Sequence, residues 1–435
     1  MNVRIGLTAA AIGMVCALGW CRPVLAAATA PPESSQAERL FQRYKQSVYQ
    51  VRVIDAATQE KKSVGFGFQF TPAGELATNF HVVSAAVHKP ARYRVECLRE
   101  DGTRESASIV YFNVVHDLAI IRLEQPQSEY IPLGNSELSK GAMLYCIGNP
   151  HDLGTAIVSG TFNGIVEKTL YRRILFSGSL NPGMSGGPAL DSHGRVVGIN
   201  VSTAGNEISF LVPVERLAEI YAELQTQPEH AQRSWDKLIE QQLVDNQNYF
   251  FQMISSAEWK HATIGDATVP GEISSFFKCW GDSQEEILYR WSVLRCDTDE
   301  SVSVADDFYT GTMLYQYVWM ESTGLNPMQF YSLVRRTFSS GFDDDFAFDN
   351  IGNRDDAQRF ATRSGIVRSG NQKWKMAVST RGYVKYAALC DAFIAMASLD
   401  NPRKALIVKM QLLGVQKKRL QEFLRKFMEQ IQWPG

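Results

Sequence analysis

The sequence lacks most features that mark nucleic-acid-binding and metal-binding proteins. Its 435 residues carry 44 Lys and Arg against 46 Asp and Glu, so the net charge of −2 gives no reason to expect a nucleic-acid or anionic-membrane partner. The 7 histidines show no paired metal-ligand spacing, and no repeat or low-complexity tract is visible. The run Asp343-Asp344-Asp345 has no further clustered ligands and is interpreted as a solvated acidic turn. We therefore expect a globular protein without metal or cofactor.

Long apolar runs are also scarce, because only the first residues approach one. Arg4 is followed by an uncharged stretch from Ile5 to Trp20, and small residues around Ala26 and Ala28 suit a signal-peptidase cleavage site. The stretch is short for crossing a bilayer, which needs about 20 residues. We predict a signal peptide at 1–28 and a periplasmic or secreted protein without stable membrane insertion after cleavage. An uncleaved anchor and lipidation of Cys21 are the alternatives.

Cysteine is sparse, and five cysteines follow the predicted cleavage site: Cys97, Cys146, Cys279, Cys296 and Cys390. The odd number leaves at least one thiol unpaired. Cys279 and Cys296 lie in neighbouring strand-like segments and are the favoured disulfide pair. Cys97 and Cys146 sit inside apolar strand patterns, so we interpret them as small buried side chains.

Four further segments are predicted after the leader. Residues 29–37 form a polar linker, and 38–224 contain many short alternating strands divided by turns such as Asp101-Gly102, which predicts a barrel or sandwich. Residues 225–249 read as a helical linker. Residues 250–435 mix strands and helices, which predicts an α+β domain of unknown function with a strand at Tyr383–Leu389 and a terminal helix over 416–432.

Ser185 lies in the glycine-rich sequence Asn181-Pro182-Gly183-Met184-Ser185-Gly186-Gly187-Pro188. Glycine tolerates backbone angles closed to other residues, so such a turn can aim the N–H groups of Gly183 and Ser185 at one point and stabilise an oxyanion. Serine is a weak nucleophile and needs a nearby base. The turn therefore predicts a nucleophile if a histidine and a carboxylate accompany it.

His81 and Asp117 supply that pair in suitable contexts. A histidine titrates near neutral pH, and a carboxylate fixes its tautomer and stabilises the imidazolium. The order His81, Asp117, Ser185 is the order of chymotrypsin-type proteases. His116 precedes Asp117 and is expected to point away from His81, because strand neighbours face opposite sides.

The motifs around these residues resemble trypsin-like serine proteases of the HtrA/Deg type. The resemblance covers roughly residues 38 to 220 and rests on these segments: Gly65-Phe66-Gly67-Phe68, Thr78-Asn79-Phe80-His81-Val82-Val83, Asp117-Leu118-Ala119-Ile120-Ile121, Ile147-Gly148-Asn149-Pro150, Ser159-Gly160, the Ser185 turn, Gly198-Ile199-Asn200 and Phe210-Leu211-Val212-Pro213. Met184 and Phe66 replace the usual Asn and Ser, and no PDZ domain is recognisable after Leu224.

The resemblance implies a chymotrypsin-like double six-stranded β-barrel and a serine endopeptidase acting on proteins or peptides, with protein quality control as one role open to it. It also implies an oligomer and a substrate pocket lined by Ser179, Leu180, Asn200, Val201 and Ser202. No carboxylate is among these five residues, so we expect small or hydrophobic side chains there. The alternative is a protease-fold binding or scaffold protein that is held inactive, with the C-terminal domain as a cap or a partner-recruiting module.

Overall fold

The computed structural model describes residues 35–205, 207–226, 234–340, 359–369 and 372–433. The predicted signal peptide and the Asp343–Asp345 run lie outside these residues. From Gln36 onward the chain forms one compact unit. A search of the described residues finds no helix with the length and apolar character needed to span a membrane.

Six strands form the first barrel: β1 (Val48–Asp55), β2 (Lys61–Gln69), β3 (Glu75–Thr78), β4 (Tyr93–Leu98), β5 (Arg104–Asn113) and β6 (Leu118–Leu123). They close antiparallel in the order β1-β2-β3-β6-β5-β4. Alternating apolar residues such as Val51, Val53 and Phe68 are fully buried, as a strand with one face on a core requires. Helix α1 (Gln36–Tyr44) precedes the barrel, and helix α2 (Phe80–His88) connects β3 to β4.

The second barrel repeats this plan with β7 (Met143–Gly148), β8 (Ala156–Ile165), β9 (Ile174–Ser177), β10 (Pro188–Leu190), β11 (Val196–Gly205) and β12 (Ile208–Pro213). Its strand order is β10-β11-β12-β9-β8-β7, again closed. A short 3-10 turn, Pro150–Asp152, follows β7, and helix α3 (Val214–Thr226) follows β12. The predicted double six-stranded, chymotrypsin-like fold is confirmed.

The region after the barrels is rich in β-structure. Its elements are α4 (Trp235–Ser256), β13 (His261–Ile264), β14 (Ala267–Pro270), β15 (Phe277–Glu285), β16 (Tyr289–Thr298), β17 (Val302–Ala305), β18 (Phe308–Thr310), β19 (Met313–Ser322), α5 (Pro327–Ser339), β20 (Ala361–Ser369), β21 (Gln372–Gly382), β22 (Cys390–Ser398), β23 (Lys404–Val415) and α6 (Lys417–Glu429). Seven of these strands form one sheet in the order β15-β16-β19-β23-β22-β21-β20. The strand expected at Tyr383–Leu389 is wrong, because Leu389 N bonds the Tyr386 carbonyl in a turn and the strand starts at Cys390.

Helix α4 packs where the sequence suggested a linker. It buries Leu238, Ile239, Leu243 and Phe250 in one hydrophobic core that also contains barrel residues such as Phe112. Burying a Leu or Phe side chain stabilises by roughly 1.5–3 kcal/mol. Helix α4 is therefore an integral part of the structure around the first barrel.

The predicted disulfide is confirmed. Cys279 of β15 and Cys296 of β16 are opposite each other in the strand register and are joined by an S–S bond of 2.05 Å. Cys97 and Cys146 are buried free thiols, as expected, and Cys390 is a third.

Candidate active site

His81 occupies the second position of α2. Asn79 is the N-cap residue and its side chain makes no capping bond. The helix is fixed by its apolar face, where Phe80, Val83 and Val87 are buried. The His81 side chain remains 37% exposed. The fold thus holds the histidine backbone rigidly and leaves the imidazole accessible.

Asp117 contacts His81 twice from the turn that joins β5 to β6. Its Oδ2 lies 2.7 Å from His81 Nδ1, and its Oδ1 accepts the His81 backbone N–H at 2.9 Å. That N–H is one of the first-turn donors that no helix carbonyl can satisfy, so the carboxylate caps α2 as well as orienting the ring. Asn79 Nδ2 donates to the Asp117 carbonyl at 2.8 Å. Asp117 adopts φ 55°, a left-handed conformation that Asp tolerates better than most residues.

This pairing changes the pKa of His81. Burial lowers the pKa of the imidazole, but the charge of Asp117 and its hydrogen bond outweigh burial, so the pKa is raised above the usual 6.5. The imidazolium that forms when the ring takes a proton is therefore stabilised by Asp117.

Two successive turns shape the segment around Ser185. Met184 N donates to Asn181 O at 3.0 Å, and Gly187 N donates to Met184 O at 3.1 Å. The first turn requires Gly183 at φ 95°. A Cβ there would lie 2.3 Å from the Asn149 carbonyl oxygen, so both the backbone angle and the available space demand glycine.

The peptide bond between Pro182 and Gly183 is held in one orientation by a hydrogen bond to its carbonyl oxygen. His151 N donates to Pro182 O at 2.8 Å. The N–H and C=O of a trans peptide point in opposite directions, so the Gly183 N–H points away from His151. Neither the Gly183 N–H nor the Ser185 N–H has an acceptor within the described part of the chain. These two free donors suit an oxyanion.

The Ser185 side chain is in a resting orientation. Its Oγ donates to Val201 O at 3.4 Å, and among the described residues no hydrogen bond joins it to His81. Such bonds are often long without substrate and tighten on binding. The Ser185 carbonyl accepts from Phe66 N at 2.7 Å, which ties this turn to β2 of the first barrel.

The residues predicted for the substrate pocket occupy different environments. Ser179 is exposed, and Leu180 is buried in the core of the second barrel. Asn200 is fully buried, and its Nδ2 donates to Ile147 O and Met184 O, both at 3.2 Å. Val201 meets Ser185 through its carbonyl, while the side chain of Ser202 lies outside the described part of the structure.

Met184 is fully buried among the side chains of the second barrel. Its packing explains how a residue of this shape replaces the usual Asn, since the turn is anchored by an apolar contact. Gly148 allows the approach, because a Cβ there would lie 2.7 Å from Met184 Cα.

Two histidines near the site have roles that the sequence did not reveal. His151, at φ 52°, supplies the N–H that orients the Pro182 peptide. His116 lies in the same turn as Asp117. The expectation that these two residues are neighbours in a strand, with side chains on opposite faces, is therefore wrong. Its ring meets the Tyr171 ring edge-on at 6.2 Å, and burial, with a smaller contribution from Arg216 and Arg173, lowers its pKa to about 3. No sequence motif marks either role.

A metal centre is not formed by the described residues, which contain no group of three or more His, Cys, Asp or Glu able to hold an ion.

Comparison with known proteins matches residues 65–199 to the trypsin-like peptidase domain family. The chain is 32% identical over 210 residues to Protease Do-like 1, chloroplastic, of Arabidopsis thaliana, covering 43% of this chain and 46% of that protein. It is 31% identical over 167 residues to a probable periplasmic serine endoprotease DegP-like of Chlamydia pneumoniae, covering 36% of this chain and 33% of that protein. A crystal structure of a serine endoprotease from Yersinia pestis aligns with 22% identity and a TM-score of 0.39, over 45% of this chain and 68% of that one.

The chain thus spans less than half the length of each of these two curated relatives. The matched residues 65–199 include His81, Asp117 and Ser185. Residues 65–199 of the chain thus match the trypsin-like peptidase domain family, and the chain is similar to Do-like and DegP-like serine proteases.

Proposed function

We propose that the protein is an exported serine endopeptidase that hydrolyses peptide bonds through an acyl-enzyme. The observation that carries this proposal is the Asp117–His81 pair, with its 2.7 Å contact, combined with the free backbone N–H groups of Gly183 and Ser185. Ser185 Oγ attacks the substrate carbonyl carbon and loses its proton to His81 Nε2. Asp117 holds the other ring nitrogen, and the N–H groups of Gly183 and Ser185 bind the oxyanion.

The remaining steps return the enzyme to its starting state. The tetrahedral intermediate collapses, the C–N bond breaks, and His81 gives its proton to the leaving amine. A water molecule then attacks the ester carbon with His81 as base, and the second tetrahedral intermediate releases the new carboxyl end and regenerates Ser185.

The substrate pocket is proposed at Ser179, Leu180, Asn200, Val201 and Ser202. None of these residues is acidic, which favours a small or hydrophobic residue before the scissile bond. Names such as the DegP-like periplasmic endoprotease of Chlamydia pneumoniae support a periplasmic location reached through a signal peptide at 1–28. From the same similarity we also propose that the protein forms an oligomer and that it acts in quality control on misfolded proteins.

Fluorophosphonate labelling and hydrolysis of an unfolded protein test the proposal. Wild-type protein, beginning at the predicted cleavage site, should be labelled and active, and Ser185→Ala should lose both properties. Ser159→Ala, which changes an exposed serine on β8, is the matched control and should keep both. A folded wild type that is neither labelled nor active would overturn the proposal.

The alternative of an inactive binding scaffold is favoured by one observation, the hydrogen bond of Ser185 Oγ to Val201 O instead of to His81. In that case a folded chain would bind unfolded protein without cleaving it, and labelling would stay absent at saturating probe.

A further inference from the structure

Gln242 of α4, outside both barrels, clasps the backbone that leads to Asp117. Its Oε1 accepts the Val114 N–H at 3.0 Å, and its Nε2 donates to the Phe112 carbonyl at 2.8 Å. Trp235, at the start of the same helix, packs on the Phe112 ring with centroids 5.1 Å apart. The turn carrying Asp117 begins at Val114, so Gln242 fixes the entrance to that turn.

Glu300 binds the loop at Leu170 and Tyr171, which packs against the same turn. Its carboxylate accepts the N–H of Leu170 at 2.6 Å and that of Tyr171 at 3.3 Å. The Tyr171 hydroxyl donates to Asn246 Oδ1 of α4 at 2.9 Å, and the Tyr171 ring lies against His116, the neighbour of Asp117. A charged acceptor with two backbone donors is a strong, directional contact. Glu300 therefore holds the loop against which His116 rests.

Arg173, at the end of that loop, adds an electrostatic link. Its Nη1 donates to the His116 carbonyl at 3.5 Å, and its charge interacts with both Asp117 and Glu300. Burial lowers the pKa of this guanidinium, and the two carboxylates oppose that effect.

The histidine helix is held at its other end. His88, the last residue of α2, donates from Nε2 to the Val304 carbonyl of β17 at 2.7 Å. Val302 and Val304 are buried. His81 lies in the first turn of this nine-residue helix, so a contact at its last turn limits the tilt of the whole element.

None of these contacts covers the reacting groups. No hydrogen bond or ion pair among the described residues connects the region after residue 234 to His81, Gly183 or Ser185. The region contacts the turn that carries Asp117 and the end of α2. It makes no such bond to Ser185 or to the oxyanion donors in the described part of the chain.

We propose that Gln242 and Glu300 are positioning residues for the triad, holding Asp117 at the distance that orients His81. This inference rests on the proposed function. The region after the barrels then acts as a built-in brace of the active site, and neither as an inhibitory cap nor as an independent module.

Single substitutions in the full mature chain test the brace. Gln242→Ala and Glu300→Ala should each lower kcat and the rate of fluorophosphonate labelling by about tenfold or more, because displacing a catalytic group by an ångström is that costly. KM should stay within about twofold, since no substrate contact is removed. The matched controls are the exposed neighbours Gln241→Ala and Asp299→Ala, whose partners are Asp245 and Lys278, and they should retain wild-type rates.

Two readouts separate positioning from loss of structure. The acid limb of the pH–rate profile should move to lower pH in the Ala variants, because a weaker Asp117 contact raises the His81 pKa less. Glu300→Gln keeps an acceptor oxygen and should recover most of the activity. Tyr171→Phe keeps the ring packing, removes only the bond to Asn246, and should shift the same limb in the same direction.

The outcomes are distinguishable. Wild-type rates and an unshifted pH profile in Gln242→Ala, Glu300→Ala and Tyr171→Phe would overturn the brace while the proposed function stands. Losses that match those of Gln241→Ala and Asp299→Ala would also overturn it. A wild type that is never labelled would overturn the proposed function, and the brace with it.

Discussion

Asp117 binds His81 at two atoms, taking the ring Nδ1 on one carboxylate oxygen and the backbone N–H on the other, at 2.7 and 2.9 Å. The same side chain therefore fixes both where the helix begins and how the imidazole is rotated. A change at residue 117 should disturb the helix terminus and the chemistry together.

Asp117→Asn is expected to lower kcat by about 10⁴-fold, because the amide no longer stabilises the imidazolium and favours the wrong tautomer. The acid limb of the pH–rate profile should also move to lower pH. His81 must be neutral to act as a base, and its pKa is raised by the Asp117 charge that the variant removes. Steady-state kinetics from pH 5 to pH 9 measure both effects. Asp101→Asn, in an exposed turn of the same barrel, should match wild type, and a loss of less than about tenfold in the kcat of Asp117→Asn would contradict the assignment.

Gly183→Ala is expected to lower kcat by about 10²–10³-fold, the cost of losing one oxyanion donor. The added Cβ would lie 2.3 Å from Asn149 O, so the turn must shift. Gly102→Ala is the matched control, since Gly102 has φ 84° but no atom within 4 Å of its Cβ position. Both variants carry the strain of positive φ, and only Gly183→Ala should lose activity. Equal activity in the two would show that the turn tolerates the movement.

Replacing Cys279 and Cys296 together by Ser is expected to lower the free energy of unfolding by about 3 kcal/mol, as for a cross-link closing a loop of this size. The two cysteines are 17 residues apart in sequence. Ser283 and Ser292 lie opposite each other on the same two strands, with their hydroxyls 2.8 Å apart. Replacing that pair by Ala should cost less than about 1 kcal/mol. Denaturant unfolding of both double variants provides the comparison, and similar losses would refute a special role for the disulfide.

His116 should make the protein less stable in mild acid. Its pKa is lowered to about 3 in the folded chain. As the pH falls below 6.5, the imidazole therefore becomes protonated in the unfolded chain while it stays neutral in the folded chain. Its contribution to stability is present above pH 6.5 and falls as the pH drops toward 3. Between pH 6.5 and pH 5 the loss amounts to about 2 kcal/mol.

His116→Gln should remove this pH dependence from the unfolding free energy, whereas His261→Gln, at an exposed histidine, should keep it. Urea titrations at pH 7 and pH 5 measure the difference. A pH dependence of the same size in His116→Gln and wild type would contradict the burial argument.

Much of the barrel fold and the residues of the candidate triad could be predicted, because short-range rules determine them. The Ser185 turn demands glycine at 183, and the alternating strands around it indicate the barrels. Helix α2 was missed, since Phe80 to Val83 continues the apolar pattern of β3. The His81 N–H donates to Asp117 at the start of the helix, and this partner lies 36 residues away in the sequence. The contacts of Gln242 and Glu300 span 128 and 130 residues of sequence, and no local pattern encodes such distances.

Gln242 and Glu300 both follow Ser185 in the chain, and this order has a consequence for biosynthesis. A polypeptide made from its N-terminus completes both barrels before it contains the residues that steady Asp117. We expect a chain that ends before these residues to cleave slowly, and full cleavage activity to arise only when Gln242 and Glu300 have both been added and make their contacts. Proteins near the growing chain would then undergo little cleavage until its synthesis is complete.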